Sequence, residues 1–146
     1  MRARKRFGQH FLSDDGVLDR IVRSVRPQPA DLLLEIGPGQ GALTAWLARE
    51  LRDAAPTGRY VAVEIDRDLV PFLRARFPGV EFVNADILRV DLDALFGDGR
   101  WRVVGNLPYN ISTPLLVLLL GHLARIRDMH FMLQREVAER LAASPG

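Results

Sequence analysis

Three short stretches hold residue types that could do chemistry together. In "EIGPGQGALT", Gly37, Gly39 and Ala42 fit the G-x-G-x-x-G/A turn that lets backbone approach a nucleotide. Two residues argue against a pyrophosphate there. Pro38 lacks an N–H that could cradle an anion, and Glu35, just before the first glycine, would repel a phosphate. The same carboxylate suits a ligand with positive charge, such as a sulfonium or an α-amino group. S-adenosylmethionine carries both. In "YVAVEID", Glu64 can accept hydrogen bonds from both hydroxyls of a ribose, and each bond to a charged acceptor contributes roughly 1.5–3 kcal/mol. In "VEFVNADI", Asp86 can accept from the exocyclic amine of adenine, with Ile65 and Ile87 flanking the ring. A glycine turn followed by two acids describes a nucleoside site without phosphates.

A different chemistry is expected at "RWRVVGNLPYNISTPLL". An aryl amine is a poor nucleophile because its lone pair is delocalised into the ring. Acceptors placed around its N–H groups draw the nitrogen toward tetrahedral geometry and localise that pair. Asn106 offers a side-chain carbonyl, and the backbone carbonyl of Leu107 or Pro108 a second. Pro108 stiffens the turn, and Tyr109 supplies a face for stacking a base, worth about 1–3 kcal/mol. No strong general base is required, so catalysis would rest on positioning and electrostatics. A target base must leave its stack to enter such a pocket, at a cost of a few kcal/mol.

The elements that must position these residues alternate along the chain. Helices are expected over "SDDGVLDRIVRSV", capped by Ser13 or Asp14, and over "ALTAWLARELR", "RDLVPFLRARF", "TPLLVLLLGHL" and "REVAERLAA". In the fourth of these, Thr113 would cap and Pro114 would open the first turn. Strands are expected over "DLLLEIG", "RYVAVEID", "VEFVNADI", "WRVVGN" and "DMHFMLQ". Alternation at this spacing predicts right-handed βαβ units on a parallel sheet, with ligands at the carboxyl ends of the strands. Those ends are Glu35-Ile36-Gly37, Glu64-Ile65-Asp66, Asn84-Ala85-Asp86 and Asn106-Leu107-Pro108-Tyr109.

Length and composition set the outer bounds. The chain has 146 residues, 48% of them hydrophobic and 26% charged, the profile of one globular domain. It has no cysteine, which excludes disulfides and thiolate metal sites and suits a reducing cytosol. No apolar run is long enough to span a bilayer, and no long apolar stretch follows the basic N-terminus as in a signal peptide. The expected location is cytoplasmic. Lys5 is the only lysine among 20 basic side chains. Arginine binds phosphate bidentately and stacks on bases, but its dominance also fits a GC-rich genome. The cluster Arg2, Arg4, Lys5 and Arg6 reads either as a solvated arm or as a phosphate contact.

The motifs "GQHFL", "EIGPGQGALT", "VEID", "NADIL", "NLPYNISTPLL" and "FMLQREVAERL" occur in one order that resembles the KsgA type of ribosomal RNA adenine dimethyltransferase. The resemblance runs from Arg6 to Leu141. It implies a Rossmann-like S-adenosylmethionine-dependent methyltransferase fold, with a central, mostly parallel sheet and helices on both faces. It implies dimethylation of N6 of two adjacent adenines in the 3′-terminal hairpin of 16S rRNA, and a role in small-subunit biogenesis. The implied partners are small-subunit rRNA and the immature 30S subunit, and the implied enzyme is a monomer without metal. By resemblance, His10 and Leu12 line the methionine end of the cofactor and Gly37 is the glycine-turn contact. Glu64 is the ribose acceptor, Asp86 the adenine contact, Asn106 the residue between cofactor and target amine, and Tyr109 the stacking residue. Residues 1–146 are then an incomplete cofactor-binding catalytic domain with a basic arm over 1–12.

One departure limits the expectation. The family pattern continues with Phe-x-Pro-x-Pro-Lys-Val-x-Ser, the last strands and a small helical RNA-binding domain, none of which falls within this sequence. "AASPG" reads as the start of a loop, so the chain is expected to continue in the natural protein. Three other readings compete. One is a related adenine N6-methyltransferase of large-subunit rRNA. Another is an assembly factor that binds rRNA without methylating it. The last is an NAD-dependent enzyme, which Glu35 and Pro38 oppose.

Overall fold

A computed structural model of the protein describes residues 15–51, 58–107 and 109–133. The first helix, α1 (Asp15–Val25), buries the stripe Leu18, Ile21, Val22 and Val25 and turns Arg20 and Arg23 outward. Then follow β1 (Leu32–Ile36), α2 (Ala42–Glu50), β2 (Arg59–Glu64), α3 (Leu69–Arg76) and β3 (Glu81–Asn84). A 3₁₀ turn (Ile87–Arg89) and the short α4 (Leu92–Phe96) lead to β4 (Trp101–Leu107), α5 (Tyr109–Leu120), a second 3₁₀ turn (Leu123–Arg125) and β5 (Ile126–Leu133).

The five strands form one parallel sheet in the order β3-β2-β1-β4-β5. Parallel strands covered on both faces need apolar residues on both faces, which explains the unbroken runs "LLLEI" and "YVAV". Helices α1, α2 and α3 cover one face, where Leu33, Tyr60, Ala62, Phe82 and Val104 point. Helices α4 and α5 cover the other, where Leu34, Ile36, Val61, Val63, Val103 and Leu107 point. The order reverses between β1 and β4. That is the switch point at which such sheets open a crevice beyond their strand ends.

The opposite end of the sheet, where the strands begin, is tied by Arg102 near the start of β4, only 7% exposed. Its Nη1 bonds Asp31 Oδ2 at 2.8 Å, its Nε bonds Asp128 Oδ1 at 3.0 Å, and its Nη2 donates to the Val25 carbonyl. A buried guanidinium needs such pairing. Here it also satisfies the open end of α1, where Arg26 adopts φ 46° before Pro27 stops the helix.

The expected elements are present among the described residues, although β3 stops at Asn84 rather than running on to Ile87, and three further differences stand out. Helix α5 starts at Tyr109 rather than at Thr113-Pro114, so Pro114 lies inside it. One residue separates β4 from α5, leaving no room for the longer connection that a cap at Thr113 would need. The proline forfeits a bond to the Asn110 carbonyl, while Leu115 and Leu119, both fully buried, hold the helix to the sheet. Strand β5 begins two residues earlier than expected, at Ile126. Helix α4 was not foreseen, although Asp91 caps it by accepting from Ala94 N at 3.1 Å and Gly97 closes it at φ 54°. The Ser13 or Asp14 cap and the helix over "REVAERLAA" lie outside the described residues. No helix among those described is long and apolar enough to cross a membrane.

Candidate active site

The glycine turn runs from the end of β1 into α2. Gly37, Gly39 and Gly41 all hold positive φ, at 68°, 60° and 91°. Gly41 shows why the residue type matters. A Cβ there would sit 2.7 Å from the Phe77 ring, so glycine lets α2 start against α3. Gly37 N donates to the Val63 carbonyl at 2.9 Å, and Gly41 N to the Pro38 carbonyl at 2.9 Å. The turn is therefore closed by its own backbone and stitched to β2.

Glu64, at the end of β2, makes the next tie. Its Oε1 accepts from Gly39 N and its Oε2 from Asp66 N, each at 2.9 Å. A carboxylate offers about four lone-pair directions, so about two remain for a ligand's hydroxyls. Asn84 was not singled out from the sequence. Its Nδ2 donates to the carbonyls of Glu64 at 2.9 Å and Ile65 at 3.2 Å, fixing the end of β2 from β3. An amide at a strand end was the available signal. Asp86 Oδ1 accepts from Leu88 N at 3.0 Å and caps the 3₁₀ turn. Ile65 stands 68% exposed beside these acids, as a ring-flanking residue must.

Two expectations are corrected by placement. Ile87 is only 4% exposed and packs into the core beneath α4 and α5, so it offers no open face to a ring. Glu35 is 1% exposed. Strand alternation points it to the α2 face, away from the crevice, and its Oε1 accepts from Tyr60 Oη at 2.6 Å and Thr44 Oγ1 at 2.7 Å. Burial raises its pKa to about 7. The bonds from Tyr60 and Thr44 pull the other way without cancelling that, and the charge of Glu64 adds a little to the rise.

Across the switch point, β4 presses unusually close to β1. A Cβ at Gly105 would sit 2.5 Å from the Ile36 carbonyl oxygen, and one at Gly37 would sit 3.5 Å from the Asn106 carbonyl oxygen. The glycine turn and Asn106 are therefore neighbours. Asn106 Oδ1 is buried and has no hydrogen-bond partner among the described residues. Leaving a buried acceptor unpaired costs about 1–3 kcal/mol, so a native site that retains one invites a donor from a ligand. Leu107 is fully buried. The structure thus gathers Gly37, Gly39, Glu64, Ile65 and Asn106 along one edge, with Asp86 one strand further out. His10, Leu12 and Pro108 lie outside the described residues, as does the side chain of Tyr109. No group of three histidine, aspartate or glutamate side chains among the described residues is placed to hold a metal ion.

Several solved structures share this fold. A 23S rRNA methyltransferase, ErmE, superposes with TM-score 0.68 at 32% identity, over 86% of this chain and 48% of its own. A dimethyladenosine transferase from Plasmodium falciparum gives TM-score 0.68 at 26% identity, over 88% of this chain and 45% of its own. An RNA methyltransferase from Salinibacter ruber, solved with S-adenosyl-L-homocysteine, shares the fold with TM-score 0.58 at 23% identity, over 82% of this chain and 78% of its own. Among sequences, ribosomal RNA small subunit methyltransferase A of Pseudomonas syringae pv. syringae is 55% identical over 99% of this chain and 53% of its own length. The protein of the same name from Nitrosococcus oceani is 54% identical over 99% of this chain and 54% of its own. The chain spans about half the length of these relatives. The family model described as ribosomal RNA adenine dimethylase matches residues 1–146. With that match end to end, the chain belongs to the ribosomal RNA adenine dimethylase family.

Proposed function

We propose that this chain is the cofactor-binding, reaction-bearing part of an rRNA adenine methyltransferase that uses S-adenosylmethionine. Its substrate in this reading is N6 of two adjacent adenines in the 3′-terminal hairpin of small-subunit rRNA, each dimethylated on an immature 30S subunit during biogenesis. The observation that carries the reading is the buried Oδ1 of Asn106, without a partner among the described residues, beside the glycine turn. The relatives at 54–55% identity, named for the small subunit, favour that target over the large subunit of the 32% identical structure.

The residues fit the cofactor. The two lone-pair directions left on Glu64 match a ribose diol, and Asp86 with the exposed face of Ile65 matches an adenine. The Gly37–Gly41 turn, held at positive φ, brings backbone rather than side chains toward the methionine part in this reading. When bound, the cofactor supplies a methyl group on a positively charged sulfur.

The chain's own residues prepare the acceptor. Asn106 Oδ1 accepts one N–H of the adenine amine, and the Leu107 carbonyl stands next along the strand for the other. Two acceptors hold the nitrogen away from the ring plane, so its lone pair becomes available for attack. Because the acceptors are fixed before the base arrives, no reorganisation is needed at the moment of transfer. The amine's surplus proton leaves to water afterwards, which is why no strong base stands at the strand end.

Incubating the full-length protein with immature small subunits and methyl-labelled cofactor tests the reading. Label on two neighbouring adenines near the 3′ end supports it. Binding to subunits without label transfer would favour the assembly-factor role, and label confined to large-subunit rRNA would move the substrate.

A further inference from the structure

The cluster beneath the glycine turn has no part in the reaction just described. Glu35 sits two residues before Gly37, Thr44 lies in the first turn of α2, and Tyr60 lies on β2. Both hydroxyls converge on one carboxylate oxygen, at 2.6 and 2.7 Å, with all three side chains buried. The turn is thus fastened twice. Above, Glu64 accepts from Gly39 N. Below, Tyr60 and Thr44 join the strand that enters the turn to β2 and to the helix that leaves it.

We propose that Tyr60 and Thr44 are positioning residues of the cofactor site, holding the glycine turn in its ligand-ready form through Glu35. This rests on the cofactor reading above. The two hydroxyls fix the carboxylate that joins the strand entering the turn to β2 and to the helix leaving it, so loss of either one loosens the turn.

Other charged groups on this face do not substitute for Glu35. Glu64 on β2 is engaged by two backbone amides. Arg102, two residues below Val104 on β4, is committed to Asp31 and Asp128. His130 on β5 is separated from Glu35 by Val104 in the strand register. The inward residues of α1 and α3 are apolar.

The test is calorimetry of the full-length protein with S-adenosylmethionine, and separately with S-adenosylhomocysteine, with urea unfolding in parallel. Tyr60→Phe and Thr44→Val should each weaken both ligands, because each removes one of the two hydroxyls that fix Glu35. Thr44→Ser restores that hydroxyl and should bind as wild type. Wild-type affinity in both Tyr60→Phe and Thr44→Val, or a loss in Thr44→Ser as large as in Thr44→Val, overturns the proposal. If neither ligand binds the wild-type protein, the cofactor reading itself fails.

Discussion

The amide of Gly39 donates to Glu64 Oε1 at 2.9 Å, across 25 residues of sequence. The residue expected to hold a ribose is therefore also the residue that holds the glycine turn. Glu64→Gln tests this double role. A glutamine amide would face either Gly39 N or Asp66 N, donor against donor, so one tie is lost together with one charged acceptor. Affinity for S-adenosylhomocysteine, measured by calorimetry, should fall about tenfold to a hundredfold, from the roughly 1.5–3 kcal/mol of a charge-assisted bond. Unchanged affinity would remove Glu64 from the site.

Gly105 sets the spacing between the two halves of the crevice. Alanine there would put a Cβ 2.5 Å from the Ile36 carbonyl oxygen, and neither backbone can move without disturbing the β1–β4 ladder. Gly105→Ala should cost about 1–3 kcal/mol in urea unfolding. A stability within error of wild type would mean that the two strands are not held so close.

Glu35 makes folding depend on pH. Its pKa rises from 4.5 in the unfolded chain to about 7 in the folded one. Between those values the unfolded state releases the proton and the folded state keeps it, so stability falls as pH rises through the window and levels off above about 7. The loss attributable to this group is on the order of 3 kcal/mol, because each unit is worth about 1.4 kcal/mol. Urea unfolding of wild type and Glu35→Gln at pH 5 and pH 7.5 isolates it: the variant should gain on the wild type at the higher pH. Parallel pH dependence in the two proteins would contradict the buried placement of Glu35.

Arg102 clamps the far end of the sheet. Arg102→Met leaves Asp31 with its main partner gone and uncaps the end of α1. Breaking a buried pair from one side costs about 3–5 kcal/mol. The unfolding free energy should drop by that order, and a change below about 1 kcal/mol would show that the pair is solvated.

Much of this architecture was legible because it follows from patterns with a fixed physical cause. Unbroken apolar runs alternating with one-sided helices require a covered parallel sheet, and such a sheet gathers its strand ends. Gly37, Glu64 and Asn106 therefore fall at one end of the sheet by pattern alone. What escaped depended on side-chain direction. Glu35 was read by its charge, whereas strand alternation turns it under α2, where Tyr60, remote in sequence, completes its bonds. Ile87 is expected to flank the ring with Ile65, but the 3₁₀ turn rotates it into the core. The start of α5 was misread because Thr113-Pro114 is as good a helix opening as any. The shortness of the β4–α5 connection decided it, and that is a tertiary fact.

The most direct measurement is single-turnover methyl transfer by full-length Asn106→Ala on immature small subunits, with rRNA binding and cofactor affinity measured in parallel. If the buried Oδ1 of Asn106 shapes the adenine amine, the rate should fall about 10²–10³-fold, the scale for removing one preorganised polar group, while rRNA binding holds. A rate within a few-fold of wild type would contradict the account.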